Sequence, residues 1–133
     1  IEEIPFCVVG LEDESTGRPD PSRAFPQTMP EGPLLVLAHD PATFLTKDMP
    51  LMGDLLLSGH THGGQVRLPW IGALVIPGRC PLAWSHGWSE TKGGPLYVTS
   101  GLGTSLLPMR FLAPPEYVIL DLVPSRTEPM DQR

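Results

Sequence analysis

Two histidines one residue apart, His60 and His62, sit in the run Ser58-Gly59-His60-Thr61-His62-Gly63-Gly64-Gln65, directly after an apolar stretch of strand length. Histidine is the commonest metal-binding side chain. In an extended segment residues i and i+2 point to one face, so the spacing predicts that both imidazoles converge on one site at a strand end. Only four histidines occur in 133 residues, which makes two within three positions hard to read as chance. Glycines at 59, 63 and 64 let the backbone turn tightly and approach a ligand closely. A third imidazole, His39, follows the apolar run Leu34-Leu35-Val36-Leu37-Ala38 and opens the turn His39-Asp40-Pro41. If the two strands are neighbours, His39 lies beside His60 and His62, and the three rings could hold a divalent cation.

Other candidates have plainer explanations. A lone histidine at a strand end is ordinarily structural, and His39 gains meaning only beside the pair. His86, in Trp84-Ser85-His86-Gly87-Trp88, has no acidic or imidazole neighbour in sequence and reads as an aromatic-packed loop residue. Arg110 suits an anion or a packing role equally well. Gly101-Leu102-Gly103-Thr104-Ser105 lacks the lysine and the length of a phosphate-cradling loop; it reads as a turn that brings backbone near the site. Cys7 and Cys80 are too few for a disulfide framework or a cysteine-based zinc site, and read as two small buried hydrophobes.

Seventeen prolines and fourteen glycines divide the chain into short, strand-length apolar runs. Strands are expected at Ile4 to Val9, Leu34 to Ala38, Asp54 to Ser58, Leu96 to Ser100 and Tyr117 to Val123, with a weaker Gln65 to Leu68 returning near Ala73 to Ile76 as a hairpin. The second and third are nearly all apolar, the pattern of strands covered on both faces. In open α/β sheets, ligands gather at the carboxyl ends of such strands. Helix is sparse: Asp20-Pro21-Ser22 and Asp40-Pro41-Ala42 can each cap and start a short helix, the second over Ala42 to Lys47. Leu11 to Pro33 is polar and proline-rich, a surface connection that carries the solvated acidic triplet Glu12-Asp13-Glu14. One domain over 1–124 is expected, followed by a polar tail, 125–133.

Composition narrows the function further. Apolar residues make up 41% and charged residues 18%, a globular balance. The net charge of −6, with nine scattered Lys and Arg, argues against a nucleic-acid partner, whose phosphates require clustered cations. No apolar stretch reaches the roughly 18 residues of a membrane span.

Three segments together resemble a known family. Ser58 to Gln65, Ala38-His39-Asp40-Pro41, and Leu96-Tyr97-Val98-Thr99-Ser100-Gly101-Leu102-Gly103-Thr104-Ser105 followed by Arg110-Phe111 and Pro114-Pro115-Glu116 look like the calcineurin-like metallophosphoesterases. The match is to the bacterial branch of small phosphodiesterases, and covers Ile4 to Val123. The resemblance implies an α/β fold: part of a two-sheet sandwich flanked by helices, of which this chain is the β-rich C-terminal half, beginning at a mid-domain strand. It implies that His39 and His60 share one metal and His62 binds a second. The family's other motifs, Asp-x-His, Gly-Asp-x-x-Asp and Gly-Asn-His-Asp or Glu, occur nowhere in the chain. They supply the bridging aspartate, the remaining ligands and the general acid, so no catalytic residue is carried over.

Three neutral imidazoles cannot bridge two cations held about 3.5–4 Å apart, as a two-metal phosphoesterase requires. Asp40, Thr61, Gln65 and Arg110 are left as candidates for orienting the ligands or touching substrate, and Asp54 for packing. The function implied is hydrolysis of a phosphate ester, diester preferred and amphiphilic in some relatives, by two divalent ions (Mn, Fe, Zn or Mg) in the intact protein. Two other readings stay open: a non-catalytic piece holding one zinc or none, and a mononuclear zinc hydrolase with three histidines and water. Strand faces left uncovered are expected to meet the N-terminal half or a second copy. Relatives of this branch are often membrane-associated; the location of this protein is not legible in its residues.

Overall fold

The computed structural model describes residues 5–13, 17–18, 20–28, 31–45 and 53–123. Its strands are β1 (Cys7–Gly10), β2 (Leu34–Leu37), β3 (Leu55–Ser58), β4 (Arg67–Leu68), β5 (Gly72–Ala73), β6 (Gly87–Thr91) and β7 (Gly94–Val98). Five of them form one mixed sheet in the order β1-β2-β3-β7-β6, and β4 and β5 form a separate antiparallel hairpin. β1, β2, β3 and β7 run parallel, while β6 returns antiparallel on β7. The charge-free runs Leu-Leu-Val-Leu and Leu-Leu-Leu-Ser occupy interior positions, where ladder partners flank both edges.

Register sorts the side chains into two faces. Val9, Leu34, Val36, Leu56, Leu96 and Val98 form the buried core on one face, covered by Phe25, Phe44 and Trp84 from the connections. On the other face Leu55 is buried, but Val8, Leu37 and Trp88 are exposed and Leu35 and Leu57 only half-buried. The expected cover on both faces is therefore present on one. At the amino end of β2, the Asp54 carboxylate accepts from the Leu34 N–H at 2.7 Å, which places Asp54 at the opposite end of the strands from the histidines.

Local chemistry produces the short helical pieces as expected. Asp20 caps α1 (Pro21–Ala24), accepting from the Ser22 N–H at 3.0 Å with proline at the first position. Asp40 does the same for a 3₁₀ turn over Pro41–Leu45, accepting from the Ala42 N–H at 2.8 Å. The rest of the expected helix lies outside the described residues, as do Ile4 at the start of the first expected strand and the tail from 124. Both cysteines are unpaired, with Cys80 buried and Cys7 half-buried. Burial raises the Cys80 thiol above its ordinary pKa, and the Asp40 charge adds to this.

The strands depart from expectation in two places. Tyr117 to Val123 is not a strand: β-propensity yields a ladder only when a neighbouring edge accepts it, and Tyr117, Ile119 and Val123 remain exposed. Conversely, β6 lies outside the expected strands, because Ser89, Glu90 and Thr91 make it polar. It forms by pairing with β7, and that pairing moves β7 two residues earlier than the expected Leu96 to Ser100. The turn between them is closed by Thr91, whose hydroxyl donates to the Gly94 carbonyl at 2.8 Å and accepts from the Gly93 N–H at 3.0 Å.

Candidate functional site

β2 and β3 pair with Leu37 opposite Leu57, so their carboxyl-end turns leave the sheet side by side. Ala38 N–H donates to the Leu57 carbonyl at 3.0 Å, and Gly59 N–H to the His39 carbonyl at 3.1 Å. The buried Ser58 hydroxyl donates to the Ala38 carbonyl at 2.8 Å. These bonds tie the two turns together. The consequence is that His39 Nε2 lies 2.9 Å from His60 Nδ1, with the rings edge-to-face at 4.7 Å.

The third histidine is placed differently. Three non-glycine residues in this loop have left-handed backbone, His60 (φ 65°), His62 (φ 50°) and Gln65 (φ 54°). Such conformations cost of order 1–3 kcal/mol each and cluster at functional sites. The segment is a turn and not an extended strand, so the expectation that both rings project from one face does not hold. His60 meets His39, whereas His62 Nδ1 lies 3.3 Å from the Gly103 carbonyl. Among the described residues, no three of His, Cys, Asp and Glu come together as a metal-holding group.

The remaining candidates support the loop. Asp40 Oδ2 stands 3.8 Å from His60 Nε2, the ring nitrogen that does not face His39, a separation too long for a hydrogen bond. Gly78 packs against it: a Cβ there would lie 2.7 Å from Asp40 Oδ2. Thr61 is fully buried, and its hydroxyl donates to the Ser85 carbonyl at 2.7 Å; it serves the loop from the interior. Gln65 spans to the 102–109 loop, donating to the Leu107 carbonyl at 2.6 Å and accepting from the Ser105 N–H at 2.7 Å. Arg110 donates to the carbonyls of His62, Ala113, Ser100, Gly101 and Gly103. Five main-chain acceptors occupy its guanidinium.

An open cleft of about 440 Å³ lies over the carboxyl ends of the parallel strands, lined by Gly10, Leu11, Ala38, His39, Gly59 and Thr99 among others. This is where ligands bind in open α/β sheets. The donor set suits a divalent cation in part. The facing nitrogens, 2.9 Å apart, are at hydrogen-bond distance from each other, and metal–nitrogen bonds of about 2.0–2.1 Å would span that gap only at an angle of about 90°, an octahedral and not a tetrahedral arrangement.

One pair escaped sequence reasoning. His86 is exposed, not aromatic-packed, and its Nε2 lies 2.9 Å from Glu116 Oε2. Glu116 also accepts from the Ser100 N–H at 2.9 Å and the Thr99 hydroxyl at 3.1 Å. Burial alone would raise its pKa, but the His86 hydrogen bond, those from Ser100 and Thr99, and the His86 charge outweigh it and hold the carboxyl below its usual range. The partners are thirty residues apart, so no local spacing could reveal them.

Comparison with known proteins bears on the family. No family model matches the chain, and no solved structure matches it. Curated sequences do. The chain is 36% identical over 116 residues to the uncharacterized metallophosphoesterase YkuE of Bacillus subtilis, covering 86% of the chain and 40% of the relative. It is 36% identical over 121 residues to phosphodiesterase YaeI of Escherichia coli, covering 89% and 42%. It is 35% identical over 124 residues to UDP-2,3-diacylglucosamine pyrophosphatase LpxG of Chlamydia muridarum, covering 85% and 36%. The chain thus spans about two fifths of the length of these relatives, and over that span it belongs to the calcineurin-like metallophosphoesterase family.

Proposed function

We propose that the protein hydrolyses a phosphate ester, preferentially a diester, at a two-metal centre to which this chain contributes His39, His60 and His62. The observation that carries the reading is the 2.9 Å approach of His39 Nε2 and His60 Nδ1 at the ends of adjacent parallel strands. Divalent ions, when bound, neutralise phosphoryl oxygens and activate water. His39 and His60 would present their facing nitrogens to one ion, and His62, held apart from them at Gly103, would serve the other. Asp40 stands beside the His60 ring, while Arg110 and Gln65 fix the loop from which His62 projects. The ligands and the bridging carboxylate that this chain does not contain are assigned to the part of the relatives' length it does not span. That part is also the proposed cover for Val8, Leu37 and Trp88 on the open sheet face.

LpxG is named for cleaving a diacylated nucleotide sugar, which supports an amphiphilic substrate here. A mononuclear site with three histidines draws less support, because His62 engages Gly103 and not the His39–His60 pair. The test is metal analysis after dialysis, with hydrolysis of a chromogenic phosphodiester in added manganese, on the complete gene product. About two metal equivalents and turnover are expected. The reading fails if a single equivalent sustains full activity.

A further inference from the structure

The turn that leaves β7 touches the histidine loop at both of its ends. Thr99 N–H donates to the Ser58 carbonyl at 2.9 Å, one residue past the last β3–β7 pair, Ser58 with Val98. The Thr99 methyl group closes on Gly59, where a Cβ would lie 3.7 Å from Thr99 Cγ2, and Thr99 lines the cleft together with His39. Ser100 packs beyond His62: a Cβ on Gly63 would lie 3.0 Å from Ser100 Cβ. Gly103 offers its carbonyl to His62 Nδ1. Residues 99–103 therefore meet the backbone on either side of the His60–His62 pair. That loop needs an external brace, because His60 and His62 both have left-handed backbone, which persists only where the surroundings impose it.

Two charged side chains hold the turn through complementary chemistry. Arg110 takes its acceptors, donating to the carbonyls of Ser100, Gly101 and Gly103. Glu116 takes its donors. Glu116 Oε1 accepts from the Ser100 N–H at 2.9 Å, the Thr99 hydroxyl at 3.1 Å and the Tyr97 hydroxyl at 3.4 Å, and the Glu116 N–H donates to the Gly101 carbonyl at 3.0 Å. The Thr99 hydroxyl in turn accepts from the Gly101 N–H at 3.1 Å, and the Ser100 hydroxyl donates to the Pro114 carbonyl at 3.0 Å. Hydrogen bonds to an ionised carboxylate are roughly twice as strong as neutral ones. His86 meets the other oxygen, Oε2, so the bonds from Oε1 to the turn do not pass through it.

We propose that Glu116 is a positioning residue of the phosphoesterase site, fixing Thr99 and Ser100 so that the 99–103 turn holds His60 and His62 in the directions metal binding requires. It acts on the histidines through the turn. The inference rests on the ligand roles proposed above for His39, His60 and His62.

The experiment compares Glu116→Ala and Glu116→Gln with the wild type in the complete gene product. Glutamine keeps an acceptor for the Ser100 N–H and the Thr99 hydroxyl, and alanine keeps none. Three quantities are read: amide exchange in the metal-free protein, manganese affinity by titration, and kcat and KM for a chromogenic phosphodiester, each normalised to folded material by circular dichroism. Glu116→Ala should speed exchange over residues 99–103 and also over 59–65. It should weaken manganese binding by about tenfold, the low end of the effect of losing a ligand-supporting partner, and lower kcat with KM little changed. Glu116→Gln should recover most of the affinity and of kcat. Thr99→Val, which removes one of the bonds at nearly constant volume, should shift the same quantities in the same direction and serves if the alanine variant does not fold. Faster exchange confined to 99–103, with manganese affinity and kcat as in the wild type, would overturn the proposal by making Glu116 a local brace. So would a glutamine variant as impaired as the alanine one. A wild type fully active with a single metal equivalent would sink the two-metal reading, and this inference with it.

Discussion

The Arg110 guanidinium donates to the main-chain carbonyl of His62 at 3.2 Å. That one bond links the metal-ligand candidate to a side chain 48 residues away, and the same guanidinium reaches four further carbonyls. A planar fork with five donors can do this; an ammonium cannot.

Arg110→Lys is therefore not conservative. Carbonyls left without donors at part-buried positions should cost about 1–3 kcal/mol, read as a lower urea midpoint with an unchanged slope. Turnover should fall with it, since the His62 carbonyl and the Gly103 loop lose a common anchor.

His60→Ala in the complete gene product should reduce phosphodiester turnover at least about a hundredfold, the scale of losing a principal electrostatic group. Metal content measured on the same samples should fall by about one equivalent, as expected for loss of a ligand shared with His39. His86→Ala should leave metal content unchanged. Full activity in the His60 variant would remove the ground for a two-metal centre.

Thr61→Val keeps the volume but strands the Ser85 carbonyl, which now accepts at 2.7 Å. A loss of about 1–3 kcal/mol is expected. Thr61→Ser should restore most of it, whereas a purely steric role would predict the opposite ranking in thermal unfolding.

Gly64→Ala should destabilise for two reasons. Its φ of 79° is left-handed, and a Cβ would sit 2.3 Å from the Ala73 Cβ. The backbone conformation alone costs about 1–2 kcal/mol, and the clash would push the hairpin off the histidine loop, detectable as faster hydrogen exchange over residues 66–73.

Glu116 gives a pH signature. Its folded pKa lies below the ordinary 4.5, so its contribution to stability is complete above that value and is lost as pH falls through the lower folded value. Glu116→Gln should flatten the acid limb of the stability profile between pH 5 and pH 3 or so, the range in which carboxylates titrate. An unchanged acid limb would show that the His86 and Ser100 bonds do not persist in solution.

The strands that bury the core, the two capping aspartates and the family were legible from residue order, because alternation, caps and the Gly59-His60-Thr61-His62 run are local patterns that short-range sterics and hydrogen bonding enforce. Adjacency of β2 and β3, and with it the His39–His60 approach, could be stated only as a condition, since strand order depends on contacts distant along the chain. The divergence of His62 from His60 follows from two left-handed residues whose conformation the surrounding loops impose. The same holds for the Arg110 clamp and the His86–Glu116 pair, whose partners lie up to 48 and thirty residues apart. Tyr117 to Val123 shows the limit from the other side: its residues favour a strand, but a strand exists only where another edge supplies the hydrogen bonds.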